Sequence, residues 1–559
     1  TPATDTYAPE AQNSPQNLRR EFYEYPSTLF QASANYTKSF GSHNINALAL
    51  YERNTLRGDN FFAQRNVTIP LDQLLAGSTT DQQGAMSTDQ RFLFNNQTAS
   101  YVGKLTYDYK GKYLLESGFR ADGSSKFSVD EQWGFFPFAT AGYRLSEESF
   151  WKNSPLKFVN NFKIRGSYGV QGDDSAAAYQ FITGYNFPAT GAVFNGNYVI
   201  GASSKGLANP IITWFTSKQL NIGVDAELWN GLFGFTVDYF VRNRSGLLGT
   251  RANSLPDVVG VGFPQENLNG DRSRGVDLEV NHRNRLGEFN YSIKGVMGIT
   301  RTMNTTRVQA RAGNSYLNWE NSTFTANRWN NLYWGYGSTG LFENYNSIKG
   351  SPIYVSRNTV VGDPRYEDWN GDGVISSQDS HPIATSGLPT LTYGLTLSAN
   401  YKNWDFNTTI SGAGNVYFSY FEQLNNPLWA GGNALKQFLD RYHPADPNAD
   451  PFDPNTEWVP GYYSYTGTVP FTNTLANAQN AKYFRIKTIE LGYSLPQKWY
   501  KKIGIKGLRF YANGFNLLTI TDLKFLDPEH PADQSNGRTE YGYTYPLDKK
   551  YTFGLNLKL

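Results

Sequence analysis

Residues 214–245 contain the feature that most restricts the fold, two alternating segments joined by a tight turn at Asn230-Gly231. In both segments apolar residues occupy every second position, with polar, charged or glycine residues between them. The apolar positions are Leu220, Ile222, Val224, Ala226 and Leu228 before the turn and Phe233, Phe235, Val237, Tyr239 and Val241 after it. Two such strands of about ten residues form the hairpin unit of a transmembrane β-barrel. The sequence therefore predicts an all-β, transmembrane antiparallel β-barrel with a lipid-facing outside and a water-facing inside.

The composition excludes a helical membrane protein. No apolar run in the 559 residues approaches the ~18 that a membrane-spanning helix needs. A barrel strand exposes apolar residues to lipid only at every second position, so a mean hydropathy of −0.52 is compatible with a membrane protein. The 38 Tyr, 37 Phe and 12 Trp suit aromatic girdles at the membrane surfaces. A carbohydrate-binding all-β protein would also be rich in Tyr and Trp, and composition alone does not separate the two.

Cysteine content, charge and the first residues add further limits. Cysteine is absent, which excludes disulfides and thiolate metal sites and is compatible with export to the outer membrane. With 50 Lys+Arg against 48 Asp+Glu, the chain has no nucleic-acid-binding footprint. It begins TPATDTY, without an initiator methionine or a signal-peptide pattern. We therefore expect an internal-to-C-terminal piece of a longer gene product.

Fifteen strands are predicted from the period-2 pattern and the turn signals between them. The predicted spans are 29–41, 44–54, 97–110, 112–121, 133–146, 157–171, 214–228, 232–245, 273–286, 288–302, 388–402, 404–418, 482–496, 506–518 and 549–559. Each is long enough to cross the apolar layer of an outer membrane when tilted.

The links between these strands alternate between short and long. Short links such as Gly41–His43 and Lys402–Asn403 alternate along the chain with long ones such as 172–213. This asymmetry is typical of an outer-membrane barrel with periplasmic turns and extracellular loops. We assign residues 1–559 to part of a single β-barrel domain. Within it we expect two long extracellular loops, 303–387, with a DxNxDG cation-type motif, and 419–481.

The sharpest local motif lies in the first of these loops, at Asp368–Asp379. Its oxygen-bearing positions and its glycine match the calcium loop of an EF-hand or dockerin. The predicted metal ligands are Asp368, Asn370, Asp372, Val374 and Asp379, with Ca²⁺ as the cofactor. Aspartate at the last position, where an EF-hand has a bidentate glutamate, would weaken the site. The alternative is an Asx/Gly turn with an ordinary acidic surface.

The same loop is rich in aromatic residues set among Asn and Ser. The candidate ligand-binding residues are Trp319, Trp329, Tyr333, Trp334 and Tyr336. Aromatic rings beside amides and hydroxyls stack on sugar rings or grip peptides. Alternatively, these rings pack the loop against its neighbours or against a partner protein.

The sequence offers no catalytic site, and we expect no enzyme activity. The histidines lie on separate elements and none has metal-ligand spacing; they are His43, His282, His381, His443 and His530. A nucleophile elbow, a phosphate-binding glycine loop and an HExxH motif are all missing from the sequence.

Between residues of about 30 and 559, blocks of sequence follow one another in a specific order and spacing. The blocks are YLLESGFRADGSSKFS (113–128), WGFFPFATAGYRLSEESF (133–150), LKFVNNFKIRGSYGVQGDD (156–174), the W-x4-Q-x-N-x-G-x-D pattern at 214–225, NLNGDRSRGVDLEV (267–280), GDPRYEDWNGDGVI (362–375), GLPTLTYGLTLSANYKNWDF (387–406), GFNLLTITDLKFLDPE (514–529) and the closing strand. In these blocks the chain resembles the SusC/RagA-type TonB-dependent transporters of the Bacteroidetes outer membrane.

The resemblance implies a 22-stranded barrel with an N-terminal plug. This chain would supply the last fifteen strands, and the plug and roughly seven strands would lie upstream. It also implies energised import of oligosaccharides or oligopeptides, in which a SusD-like surface lipoprotein captures the cargo and the TonB complex acts on the plug. Outer-membrane lipid would surround the barrel, and a dimer of transporter–lipoprotein pairs is implied. Lumen candidates are Asp225, Glu227, Asp238, Arg242, Asp277 and Glu279.

Other functions stay open on the sequence. A structural or secretion-associated barrel subunit of a larger outer-membrane complex would share the same wall. An outer-membrane hydrolase would need a Ser/His/Asp set, which the scattered histidines disfavour. A receptor for iron chelates or cobalamin would differ only in its cargo. The sequence does not identify the cargo, since aromatic loops serve oligosaccharides and oligopeptides alike.

Overall fold

The computed structural model describes residues 15–67, 72–87, 89, 91–251, 261–310, 313, 315, 319, 324–354, 358–385, 388–420, 424, 427–428, 432–465, 474–475, 478–500, 504–529 and 547–559. In these residues the main architecture is one long antiparallel wall. Its strands are β1 Asn17–Glu24, β2 Ser27–Phe40, β3 His43–Asn66, β4 Phe94–Tyr109, β5 Tyr113–Ser124, β6 Trp133–Arg144, β7 Val159–Asp173, β8 Phe215–Leu228, β9 Phe233–Gly249, β10 Glu266–Leu286, β11 Phe289–Thr306, β12 Leu391–Tyr401, β13 Trp404–Gly414, β14 Tyr483–Ser494, β15 Gly507–Thr521 and β16 Lys550–Lys558.

From β2 to β16 every strand pairs antiparallel with the next strand along the chain. β1 and β2 both pair with β3, β1 with its far half and β2 with its near half. Pro26 lies between them and lacks the N–H that a continuous strand would use. β1 and β2 therefore share one position beside β3, and the sixteen strands fill fifteen positions of the wall. Within the described ranges, the first position, β1 with β2, and the last, β16, each have one strand partner. They are its two edges.

The two faces of the wall differ in character, and the strand register defines them. Residues directly opposite one another share a face, and one such row runs through Ile222, Tyr239, Val276 and Ile299. These side chains are 50%, 46%, 38% and 47% exposed. A soluble protein would bury such a continuous apolar row, so this face is the lipid-facing outside. The opposite face carries most of the charged residues and is the inside.

An aromatic row closes the outer face at the short-link end of the wall. It runs across five neighbouring strands through Phe289, Tyr401, Trp404, Tyr493 and Phe510. Aromatic girdles of this kind sit at the membrane–water boundary of outer-membrane barrels. Between this row and the long-loop end lies the apolar belt.

Each predicted span contains a strand, but some strands extend further than the pattern indicates. The span 44–54 is only the near half of β3, which continues to Asn66. Its far half, Asp59–Asn66, lacks the apolar alternation and pairs with β1, which the sequence did not predict. Beyond the lipid layer the apolar alternation is no longer required, and the strand continues because it has a partner. Similarly, the hairpin Tyr185–Phe194/Asn197–Ser204 lies inside the segment predicted as a long loop.

Short links join strands at one end of the wall. The predicted Asn230-Gly231 turn is present, with positive φ at Trp229 (51°), Asn230 (56°) and Gly231 (80°). Two longer links at this end contain short helices: Leu145–Glu147, Ser149–Lys152 and Pro155–Phe158 before β7, and Gln497–Trp499 before β15. No helix in the described part of the chain is long and apolar enough to cross a membrane.

The long links contain the buried apolar clusters of the described residues. One cluster joins Tyr336, Phe342, Tyr354, Tyr366 and Ile375, and another joins Val416, Phe418, Tyr420, Ala481 and Leu523. Short strands and helices order this layer: Gln83–Ala85, Arg328–Trp329, Leu332–Gly335, Ser338–Leu341, Ile353–Tyr354, Pro364–Tyr366, Val374–Ile375, His381–Thr385, Tyr417–Ser419, His443–Pro444, Trp458–Val459 and Ala478–Asn480, with the helices Leu74–Ala76, Tyr345–Lys349, Ser377–Asp379 and Lys436–Leu439. The long links thus form a packed cap over one end of the wall. The link 415–482 contains the predicted loop 419–481. The link 307–390 contains the predicted loop 303–387 except for residues 303–306, which belong to β11.

Candidate functional site

The segment Asp368–Asp379 forms a tight loop closed by two carboxylates. The side chain of Asp368 accepts hydrogen bonds from the N–H groups of Gly371 (2.8 Å), Asp372 (3.2 Å) and Gly373 (2.8 Å). The fully buried side chain of Asp379 accepts hydrogen bonds from the N–H groups of Trp369 (2.9 Å), Asn370 (3.4 Å) and Ser376 (2.7 Å). Gly373 has a φ of +83°, which explains the glycine at the sixth position.

The predicted ligands fit a hard cation by donor type. Asp368, Asn370, Asp372 and Asp379 all present oxygens, the atoms that Ca²⁺ prefers. Their arrangement, however, is built on hydrogen bonds: Asn370 donates to Asp372 (3.0 Å), and Val374 donates its N–H to Asp372 (2.8 Å). In the residues that the structure describes, no three His, Asp or Glu side chains form a group that could hold a metal ion. Calcium therefore stays a prediction of the motif.

The aromatic rings connect this loop to its surroundings. Trp369 stacks on His381, with ring centroids 3.9 Å apart at 14°, and on Trp319, at 6.4 Å and 15°. Trp319 in turn meets Trp334 edge to face at 6.3 Å. His381 hydrogen-bonds through Nδ1 to the Asp379 carbonyl (2.9 Å). The Asp368–Asp379 loop and these rings are therefore one structural unit.

A pocket of about 380 Å³ opens beside this unit. Its lining includes Trp319, Phe324, Arg328 and Trp334. The Arg328 guanidinium lies 4.7 Å from the Trp334 ring centre and donates to the Trp319 carbonyl. Burial lowers the pKa of Arg328 below its usual value, although a guanidinium remains protonated at neutral pH. Flat rings beside a fixed cation suit a sugar ring or a peptide with an acidic or carbonyl group.

The other predicted ligand-binding residues lie outside this pocket lining. Tyr336 is 9% exposed and packs in the cluster with Phe342. Tyr333 is half-buried in the strand Leu332–Gly335. Trp329 lies opposite Met303 in the register, which turns its ring to the outer face of the wall. The structure thus brings Trp319 and Trp334 together and separates Trp329 from them.

The inner face of the wall carries an ion network across β7, β8 and β9. Arg165 contacts Asp225 (3.1 Å) and Asp238 (2.6 Å), using both sides of its planar fork. Lys163 also pairs with Asp225 (2.8 Å). Asp277 lies directly opposite Asp238 in the register and is exposed. The lumen candidates Asp225, Asp238 and Asp277 therefore lie together on the inside.

A second network ties the link that follows β15 to the inner wall. Arg485 of β14 is 2% exposed and donates to both carboxylate oxygens of Asp527 at 2.8 Å. It also pairs with Glu529, to which Tyr483 donates its hydroxyl (3.1 Å). Burial by itself would raise the pKa of Asp527, but the Glu529 N–H and Arg485 lower it below its ordinary value.

Residues 2–377 match the family model described as "TonB dependent receptor-like, beta-barrel". The chain belongs to this family. It is of the SusC/RagA type and is an outer-membrane β-barrel, as its sequence blocks predicted.

Two curated relatives and one solved structure illustrate the likeness. The chain is 26% identical to "TonB-dependent receptor P3" of Formosa agariphila, over 96% of this chain and 53% of that protein. It is 25% identical to "TonB-dependent receptor SusC" of Bacteroides thetaiotaomicron, over 78% of this chain and 41% of that protein. The structure of "the RagAB peptide importer in the 'open-open' state" matches with a TM-score of 0.76 and 19% identity, over 97% of this chain and 56% of that one. The chain spans about half the length of these proteins, and none of the three is named as an enzyme.

Sequence reasoning missed several residues of the site. Trp369 is the second residue of the predicted cation motif, and His381 follows the motif by two residues. The stack that they form could not be seen without the fold. Arg165 could have been found from its inward parity on β7. Arg485 gave no signal, because Asp527 is far from it in sequence and lies outside a strand.

Proposed function

We propose that this chain forms most of the wall and the cap of an active outer-membrane importer of oligosaccharides or oligopeptides. One arrangement carries the proposal: an aromatic, cation-bearing pocket in the packed cap, at the end of a wall that is charged inside and apolar outside. A cargo bound at the cap would face a polar path along the inner wall. The RagAB structure, named as a peptide importer, supports uptake.

The free edges of the wall support closure by further strands. In the described residues β2 and β16 lack a second wall partner, and an unpaired edge is very costly in lipid. We propose that about seven further strands join these edges into a 22-stranded barrel and that a plug fills it. Energy would then reach the cargo through the TonB complex acting on that plug.

The cap is the surface we assign to a SusD-like lipoprotein. Large exposed apolar side chains are present there, including Leu388 (81%), Leu439 (74%) and Ile353 (70%). Exposed apolar groups on the extracellular side suit a protein partner. Two such transporter–lipoprotein pairs would associate as a dimer.

Uptake tests the proposal. Cells producing the protein at its native level would receive two sets of fluorescent probes, short oligosaccharides and short oligopeptides. We expect the cells to accumulate one set of probes and an uncoupler to abolish this accumulation. In the Trp319→Ala/Trp334→Ala variant we expect the apparent affinity for the imported probe to be about tenfold weaker. The control is Trp229→Ala/Trp499→Ala, which removes two exposed rings at the short-link end. A structural or secretion-associated subunit would give no energy-dependent accumulation of either set.

Calcium binding by the Asp368–Asp379 loop is a separate proposal with its own test. We expect added Ca²⁺ to slow proteolysis of the segment 362–387 and a chelator to reverse the effect. The variant Asp368→Ala/Asn370→Ala/Asp372→Ala should be cut rapidly in either condition and should capture its partner poorly.

The matched control for calcium is Asp446→Ala/Asp450→Ala/Asp453→Ala. These three aspartates also accept backbone hydrogen bonds in exposed turns, at 2.9 Å each, but without the motif. The cation proposal is refuted if the triple variant is cut rapidly while neither calcium nor the chelator changes the proteolysis of the unchanged protein. That result would leave the hydrogen-bonded turn as the function of the motif.

A further inference from the structure

Two arginines face each other on the lipid-facing surface of the wall. Arg274 of β10 lies directly opposite Arg301 of β11, one row beyond the apolar pair Val276 and Ile299. Like charges in this position destabilise a sheet unless something offsets them. Among the described residues, no carboxylate forms an ion pair with either guanidinium. The Nε of Arg301 is buried and also lacks a hydrogen-bond partner there.

Neighbouring residues hold these cations in place and add to their charge. The ring of Trp329 lies 4.2 Å from the Arg301 guanidinium and 5.1 Å from that of Arg274. Such contacts fix a guanidinium but supply no negative charge. In the next row toward the long-loop end, and on the same lipid-facing surface, Lys218 and Arg272 lie on either side of Asn243. In these two rows, the lipid-facing positions of β8 to β11 carry four cationic side chains and no Asp or Glu.

The height of the pair places it at the surface of the membrane. About twelve residues separate Arg274 from the end of β10 at Leu286, next to the aromatic row. In a strand tilted by about 40°, this distance corresponds to a rise of roughly 30 Å. The apolar band of an outer-membrane barrel is about 25 Å tall. The four cations therefore lie just beyond the hydrocarbon, on the long-loop side, where the outer leaflet has its headgroups.

We propose that Arg274 and Arg301, flanked by Lys218 and Arg272, bind the phosphate of an outer-leaflet glycolipid. A planar guanidinium fork matches the oxygens of a phosphate, and one phosphate offsets the repulsion of both arginines. The acyl chains of the lipid would lie along the apolar belt directly below. This inference rests on the lipid-facing surface alone and is independent of which cargo the protein imports.

Native mass spectrometry of the purified protein tests the site, with diphosphoryl lipid A as the probe. We expect the bound fraction to fall about tenfold or more in Arg274→Gln/Arg301→Gln. Arg301→Lys, which keeps the charge but loses the fork, should fall between the two. The control Lys110→Asn/Lys402→Asn removes two exposed cations at the opposite membrane surface and should bind like the unchanged protein. Asparagine tolerates the positive φ at both positions.

Three results would overturn the proposal. Equal binding of diphosphoryl lipid A to the unchanged and double-arginine proteins would show that the pair is not the site. Equal binding of the dephosphorylated lipid would show that the acyl chains alone are recognised. Equal thermal stabilisation by free inorganic phosphate would reveal a simple anion site. Circular dichroism of each variant at 218 nm, compared with the unchanged protein, separates a lost site from a lost fold.

Discussion

Replacing Arg485 with alanine is expected to lower the free energy of unfolding by about 3–5 kcal/mol. The guanidinium is buried and joins Asp527 and Glu529, two carboxylates that close the link after β15 against the inner wall. Its removal leaves the buried carboxylate of Asp527 without a cationic partner among the described residues. Urea unfolding of the detergent-solubilised protein, followed by tryptophan fluorescence, measures the change.

Lys487→Ala provides the matched comparison. Lys487 contacts the same Glu529 at 2.6 Å, but its side chain is 33% exposed, so its loss should cost no more than about 1 kcal/mol. The pKa of Asp527 is below its ordinary value, so its stabilisation is present at neutral pH and is lost as the pH falls through that lowered pKa. The difference between Arg485→Ala and the unchanged protein should therefore shrink in acid. An equal loss of unfolding free energy in Arg485→Ala and Lys487→Ala would contradict a stabilising role for the buried ion pair.

Met297→Arg is expected to lower the free energy of unfolding in lipid by about 1–3 kcal/mol. Met297 lies within the apolar belt, eight residues along β11 from Phe289 of the aromatic row, and between Leu278 and Tyr393 in the register. A cation at that depth on the outer face would have to enter hydrocarbon. Folding into lipid vesicles at increasing urea concentrations provides the measurement.

The control is the adjacent substitution Val296→Arg. Val296 lies on the inner face, directly opposite Glu279, and its exposure in the structure (43%) is close to that of Met297 (36%). The new guanidinium would meet a carboxylate in water, so we expect a change of less than about 0.5 kcal/mol. Because the two sites have the same depth and similar exposure, only the assignment of faces distinguishes them. Similar costs at both sites would refute that assignment.

The predictable part of the site was its chemistry rather than its assembly. The motif Asp368–Asp379 identified a tight loop, and the structure shows that its carboxylates close it through backbone hydrogen bonds. The aromatic pattern gave Trp319, Trp329, Tyr333, Trp334 and Tyr336 as candidates. Of these, Trp319 and Trp334 line the pocket and Trp329 turns to the outer face of the wall. Ligand binding by these rings stays a prediction. The aromatic residues can be read from the sequence, whereas the direction of each ring depends on which strand its own segment pairs with.

The sequence by itself determined the strands, their two faces and the alternation of short and long links. These follow from the two-residue period of a strand that has lipid on one side and water on the other, a local rule that each hairpin repeats. Only the tertiary structure decided the pairing of β1 with the far half of β3, the stack of Trp369 on His381, and the partners of Arg165 and Arg485. Such contacts join residues that are often distant in the chain, above or inside the lipid layer, where no period constrains them. They depend on register and loop packing, which are set only once the strands have paired.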